Sequence, residues 1–206
     1  MSHILILYAT TEGQTQHIGE HMAPKLEAMG HAVTLMNVKH VPAQMDWDAI
    51  EGVIAGASVH VGRHQHQLEQ FVQEHLDELT ARPGAFFSVS LSAHGPTDQQ
   101  HDDAHQYVAG FEEKTGWHPA LTATFAGALR YTAYGLPKRL LMKWITKRGG
   151  SGDTDTHRDY EYTDWAAVDR FAEEFAHRLP TPRATETREE GAARDKLPDE
   201  SSRMTE

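Results

Sequence analysis

Short apolar runs alternate along the chain with stretches in which apolar residues recur every three or four positions. The runs His3–Ala9, His31–Met36, Gly52–Val59, Ala85–Leu91 and Leu121–Leu129 read as strands buried on both faces. Helical spacing predicts helices over Gln16–Met29, His64–Thr80, Asp103–Gly116 and Trp165–Leu179. Leu68, Phe71, Val72, Leu76 and Leu79 mark the apolar face of the second, and Thr163 or Asp164 caps the last. Pro24 falls inside the first helix, where its missing N–H should kink it or shorten its ladder. Pro83-Gly84 punctuates the chain before the fourth strand. Strands separated by helices need crossover connections, so the alternation predicts an α/β fold with a doubly wound, five-stranded parallel sheet. In such sheets ligands bind beyond the carboxyl ends of the strands, where strand order reverses. The loops to inspect follow Ala9, Val59, Leu91 and Leu129.

Two segments fall outside the alternation. Arg130–Tyr162 is a long insertion between the last strand and the last helix. Pro180–Glu206 is rich in Pro, Thr, Glu, Arg, Ser and Asp, with Leu197 and Met204 as its large apolar residues, and reads as a disordered tail. The length of 206 residues fits one domain, and 39% hydrophobic residues supply a core. The excess of 30 acidic over 19 basic residues, a formal charge of −11, opposes non-specific attraction to nucleic acid or anionic lipid over the molecule as a whole. With no cysteine, disulfides, thiolate metal sites, iron–sulfur clusters and a cysteine nucleophile are excluded, so any redox chemistry must be carried by a bound organic cofactor. No basic region or long apolar stretch follows Met1, and no run approaches the ~20 apolar residues of a membrane span. The expected location is the cytoplasm, with any membrane contact peripheral.

The loop Thr10-Thr11-Glu12-Gly13-Gln14-Thr15 carries three threonine hydroxyls and a glycine, without the lysine of a Walker loop or the glycines of a dinucleotide fingerprint. A phosphate can rest there on backbone N–H groups at the helix N-terminus, helped by the hydroxyls. The threonines can equally serve as ordinary helix caps. Spacing alone leaves both readings open.

Thr10–Thr15 resembles the flavin mononucleotide (FMN) phosphate loop of flavodoxins, with Ser or Thr at its first and last positions and Gly between. Gly56-Ala57-Ser58-Val59-His60-Val61-Gly62 is similar to one flavodoxin-like branch, the quinone-dependent protoporphyrinogen IX dehydrogenases of bacterial haem synthesis. The similarity continues through Phe86–Leu91, Ala126–Tyr131, Gly149-Gly150, Asp153–Thr156 and Glu161–Trp165. It covers most of Met1–Leu179 in order, including the insertion that ordinary flavodoxins lack. The resemblance implies that Thr10, Thr11, Glu12, Gly13, Gln14 and Thr15 hold the FMN phosphate. It implies too that Ser58, Val59, His60, Val61 and Gly62, with Ser88, Val89, Ser90, Leu91 and Ser92, flank the isoalloxazine ring. The family often has an aromatic residue near position 61, where this chain has Val61 with His60 beside it, and Leu91–Pro96 also departs from the pattern. His60 itself reads as a solvent-facing loop histidine.

Within the insertion, Leu136, Leu140, Leu141, Trp144 and Ile145 fall on one helical face and Arg139, Lys143 and Lys147 recur every four residues on the other. This expected helix, 134–148, suits a membrane interface, an anionic substrate, a protein partner or plain packing on the domain, and the pattern does not choose between lipid, substrate and protein. With the resemblance, Arg130, Lys138, Arg139 or Lys143 would pair with substrate propionates while Tyr131, Tyr134 and Trp144 face the macrocycle. The 15 histidines include His101/His105 and the group His60, His64 and His66, but neither set has a third ligand at a recognised spacing, so no metal site is expected. Polar loop and helix-face positions account for them. No G-x-S-x-G elbow or paired carboxylates appear, and no catalytic residue is assigned.

The expected organisation is an FMN-binding domain over 1–179, with the insertion at 130–162, followed by the tail at 180–206. The expected activity is FMN-dependent oxidation of protoporphyrinogen IX to protoporphyrin IX, with electrons passed to menaquinone or ubiquinone at the cytoplasmic face of the membrane. The alternatives are a flavodoxin-like electron carrier between protein partners and a soluble FMN-dependent NAD(P)H:quinone reductase.

Overall fold

Five strands, β1 (His3–Ala9), β2 (Ala32–Asn37), β3 (Gly52–Ser58), β4 (Gly84–Ser90) and β5 (Leu121–Ala126), pair in parallel in the order β2-β1-β3-β4-β5. This is the expected doubly wound sheet. The chain steps outward from β1 to β2 and then crosses back to β3, so strand order reverses between β1 and β3. Register sets Ala9 beside Ala57, Ala57 beside Ser88 and Ser88 beside Thr124, which brings the carboxyl ends of β1, β3 and β4 level. The computed structural model describes residues 1–94, 97–129 and 157–179. The expected helix at 134–148, with Arg130, Tyr131, Tyr134, Lys138, Arg139, Lys143 and Trp144, and the tail at 180–206 lie outside the described residues.

Alternate strand residues feed two apolar layers, as a sheet buried on both faces requires. Ile4, Ile6, Ile54, Phe87 and Phe125 pack against α1 (Gln14–Ala28) and α5 (Trp165–Arg178), through Ile18, Met22, Phe171 and Phe175. Leu5, Leu7, Val53, Ala55 and Phe86 pack on the other side against α2 (His66–Glu74), α3 (Leu76–Thr80) and α4 (Asp98–Thr115). There Phe86 and Phe111 stack with ring centroids 4.0 Å apart and planes 3° from parallel. Lys25–Glu173 at 2.7 Å and His21–Asp169 at 3.0 Å tie α1 to α5.

The structure differs from the sequence reading at element boundaries. Pro24 removes one rung of α1 without ending it, because Ile18, Met22 and Leu26 are fully buried on either side of that point. The expected helix His64–Thr80 is two helices separated at His75, whose φ of −120° is not helical. The fourth helix begins five residues earlier than its apolar period, at Asp98, because the Thr97 hydroxyl caps it by accepting from the Gln100 N–H. The last expected strand ends at Ala126. After Gly127, β6 (Ala128–Leu129) leaves the sheet and pairs antiparallel with β7 (Tyr160–Glu161). Asp164 caps α5 by accepting from the Ala167 N–H, while the Thr163 hydroxyl donates to the Ala126 carbonyl.

Candidate functional site

At the point where strand order reverses, the loops after β1, β3 and β4 enclose a cleft of about 550 Å³. Of the residues singled out from the sequence, Thr10, Thr11, Glu12 and Gln14 line it from the first loop. Ser58, Val59, His60, Val61 and Gly62 line it from the second, and Val89, Ser90, Leu91 and Ser92 from the third. Gly13, Thr15 and Ser88 do not form part of the lining. The three loops converge because parallel strands of matched register must all end at the same edge of the sheet.

The first loop is built for a tight entry into α1. Gly13, with φ of 91°, takes the left-handed conformation at the helix N-cap, and its N–H donates to the Thr10 hydroxyl at 2.9 Å. The next N–H groups, those of Thr15 and Gln16 among them, have by position no intrahelical carbonyl and carry the positive end of the helix dipole. Thr15 is fully buried and its hydroxyl has no hydrogen-bond partner. Gln14 is anchored instead to the far side of the cleft, donating to the Glu161 carboxylate at 3.1 Å and to the Thr163 hydroxyl at 2.9 Å. Neutral donors around a helix N-terminus, with no cation among them, suit an anion held by dipoles.

The second loop is a two-residue reversal. His60 and Arg63 exchange backbone hydrogen bonds across it, and both residues between them have positive φ, 51° at Val61 and 74° at Gly62. A β-branched residue in this region is strained. Val61 is nevertheless held there, 89% exposed, at the edge of the cleft. Behind it, the Gln65 amide donates to the Ser58 hydroxyl at 2.5 Å and to the Thr11 hydroxyl at 3.1 Å, joining the first two loops, while its carbonyl oxygen is buried without a partner.

The third loop is tied to the β5–β6 junction by the Gly127 N–H, which donates to the Ser90 carbonyl at 3.1 Å. Gly127 in turn accepts from the Tyr162 N–H at 3.2 Å. At this rim His94 stacks on Tyr162, ring centroids 4.0 Å apart and 18° from parallel. Ser88 turns away from the lining to His64, whose Nε2 lies 2.9 Å from its hydroxyl oxygen. His64 is enclosed by Phe86, Phe111 and Tyr107, and burial pushes its pKa down from 6.5 to about 4, so the ring is neutral at physiological pH. That removes His64 from the polar-surface reading. His60 is exposed, as expected of a loop histidine.

Tyr107, Gly127 and Ala128 also line the cleft and are not among the site residues expected from the sequence, although Gly127 and Ala128 belong to a stretch that carries the resemblance. Tyr107 follows Ala104 and precedes Val108 and Phe111 on the inward side of α4, a spacing that marks it. Gln65 carries no such signal, being one polar residue among several before a helix. Among the described residues no group of three or more His, Asp or Glu side chains is placed to hold a metal ion. No helix among them is long and apolar enough to cross a membrane.

Residues 5–157 match the model of the flavodoxin domain family. The protoporphyrinogen IX dehydrogenase [quinone] of Escherichia coli K12 is 35% identical over 178 residues, covering 86% of this chain and 97% of that protein. The Leishmania major protein of the same name is 37% identical over 173 residues, 84% of this chain and 74% of its own length. Among solved structures, oxidised flavodoxin 1 from Bacillus cereus superposes with a TM-score of 0.53 at 14% identity, covering 87% of this chain and all of that one, a likeness of fold. With its sheet order, its cleft at the reversal point and these matches, the chain belongs to the flavodoxin domain family and, as an oxidoreductase, to the protoporphyrinogen IX dehydrogenase [quinone] branch of it.

Proposed function

We propose that the protein binds FMN in the cleft and uses it to oxidise protoporphyrinogen IX to protoporphyrin IX, passing the electrons to menaquinone or ubiquinone. The observation that carries this reading is the first loop. A fully buried threonine hydroxyl without a partner stands in the first turn of α1, next in the chain to the cleft-lining Gln14 and among helix N–H groups that have no intrahelical carbonyl, and a phosphate monoester is the group that would satisfy them. The residues present therefore fit the phosphate end of FMN. Thr10–Thr15 hold that phosphate, and Ser58–Gly62 and Ser88–Ser92 flank the ring, Ser88 acting from behind the lining through its neighbours.

Bound FMN would supply the acceptor for hydrogen taken from the porphyrinogen and the donor to the quinone. The chain's own share is positional. Gln65 fixes the first loop against the second through Thr11 and Ser58, so phosphate and ring contacts are set in one rigid frame. The exposed Val61 and the half-buried Tyr107 offer apolar surface on which a large flat substrate can lie over the cleft and exclude water. No side-chain acid or base is assigned. The segment 134–148, which carries Lys138, Arg139, Lys143 and Lys147, provides the peripheral membrane contact, its positive charge drawing it to anionic lipid at the cytoplasmic surface.

The test is anaerobic oxidation of protoporphyrinogen in neutral detergent with menaquinone or ubiquinone as acceptor. Formation of protoporphyrin with either quinone, by a protein that is yellow with bound FMN, is the expected result. A yellow protein that exchanges electrons with a reductase but fails with every quinone would instead be an electron carrier. A protein that takes up no FMN would overturn the reading altogether.

A further inference from the structure

A second, shallower groove of about 320 Å³ lies between the second loop and α4. It shares Gly62 and Tyr107 with the cofactor cleft, so a molecule lying across the cleft mouth reaches it over a common wall. We propose that this groove binds a carboxylate arm of the substrate, with the Arg63 guanidinium as its principal partner. The inference rests on the function proposed above, because the porphyrinogen is a substrate that carries carboxylates, its two propionates.

The charges in the groove favour one anion. Glu69 is buried and holds Lys114 at 2.5 Å, so that pair is internally neutral. Arg63 faces the same groove and has no ion-pair partner among the described residues. Its side chain springs from the base of the second loop, where the backbone exchange with His60 fixes it. His64 contributes no positive charge there, since burial keeps its ring neutral. One unpaired guanidinium beside a neutralised pair leaves a surplus of a single positive charge. A planar fork of N–H donors matches a planar carboxylate.

The groove is also held open on its other side. Gly110 lines it from within α4, a position where glycine is disfavoured, and no atom lies within 4 Å of where its Cβ would stand. A side chain placed there would occupy the groove and leave the cleft untouched.

The test measures equilibrium binding of protoporphyrin IX and of its dimethyl ester, which has the same ring and no carboxylate, to the FMN-loaded full chain in neutral detergent. Wild-type protein is expected to bind the diacid about tenfold more tightly than the diester, the scale of one charge-assisted hydrogen-bonded pair. Arg63→Gln, a change at an exposed position, should bring that ratio close to one. Gly110→Leu, which fills the groove, should do the same, and neither should change the affinity for FMN. A ratio that keeps its wild-type value in either variant overturns the subsite, as does a wild-type ratio of one. Wild-type protein that binds neither porphyrin would overturn the proposed function, and the subsite with it.

Discussion

The two ends of the same five strands are finished in opposite ways. At the amino end, β3 and β4 each start with a glycine, and large side chains fill the space those glycines leave. Leu179 and Phe175 lie over Gly52, and the Trp117 indole stands 2.7 Å from where a Cβ on Gly84 would be. Arg82 closes that end further, stacking 5.0 Å over Trp47 and donating to its carbonyl. At the carboxyl end the loops splay around a hollow of about 550 Å³, edged by a strained Val61 and backed by two polar atoms, on Thr15 and Gln65, that have no partner. Buried polar atoms without partners occur at the closed end too, on Ser2, His31 and Arg82. An orphaned atom therefore does not mark a site by itself. What distinguishes the carboxyl end is that its orphans belong to residues joined to the lining of a space large enough for a ligand, Thr15 following Gln14 in the chain and Gln65 bonded to Thr11 and Ser58. One end is closed by packing and the other is open for binding, so mutations at the two should have separable effects on stability and on affinity.

The largest effect is expected at the closed end. Trp117 is 2% exposed, and Trp117→Ala should cost about 3–5 kcal/mol by denaturant titration, with the FMN affinity of the folded fraction unchanged. A comparable loss of FMN affinity would break the separation. Next comes the buried imidazole behind the cleft. Because the folded pKa of His64, about 4, lies below its ordinary 6.5, the unfolded chain takes up the extra proton between those values. Stability is then complete above about pH 6.5 and is lost as pH falls toward 4, by up to about 3 kcal/mol. His64→Gln should flatten that part of the stability–pH curve, and an unchanged slope would contradict the assignment. The smallest effect is at the turn. Val61→Gly relieves a left-handed valine and should raise stability by about 1 kcal/mol, read as a higher midpoint of thermal unfolding.

The sheet was legible because its strands are continuous apolar runs, and burial on both faces leaves that pattern no alternative. His3–Ala9 matches β1 residue for residue. The cleft-lining loops are legible because the fold puts ligands at strand carboxyl ends, which marks the positions after Ala9, Val59 and Leu91 from the strand pattern alone. The ribbon of β6 and β7 was not, since two-residue strands joined across residues 130–159 leave no periodic trace. Nor was the burial of His64. It depends on three aromatic rings contributed by β4 and α4, a tertiary enclosure that local sequence around residues 60–66 does not encode. Gln65 escaped for a related reason: its role lies in hydrogen bonds to two separate loops.

In the proposed function, the carboxyl-end hollow takes the phosphate of FMN on the first turn of α1. Thr15→Val removes the buried hydroxyl and keeps the side chain's shape, so titrating the apoprotein variant with FMN and with riboflavin tests it most directly. FMN should bind at least about tenfold more weakly, riboflavin as before, and the apoprotein should be no less stable than wild type, because an unpaired buried hydroxyl has been removed. Unchanged FMN affinity together with a less stable apoprotein would contradict it, making Thr15 part of the core and leaving the hollow without its phosphate anchor.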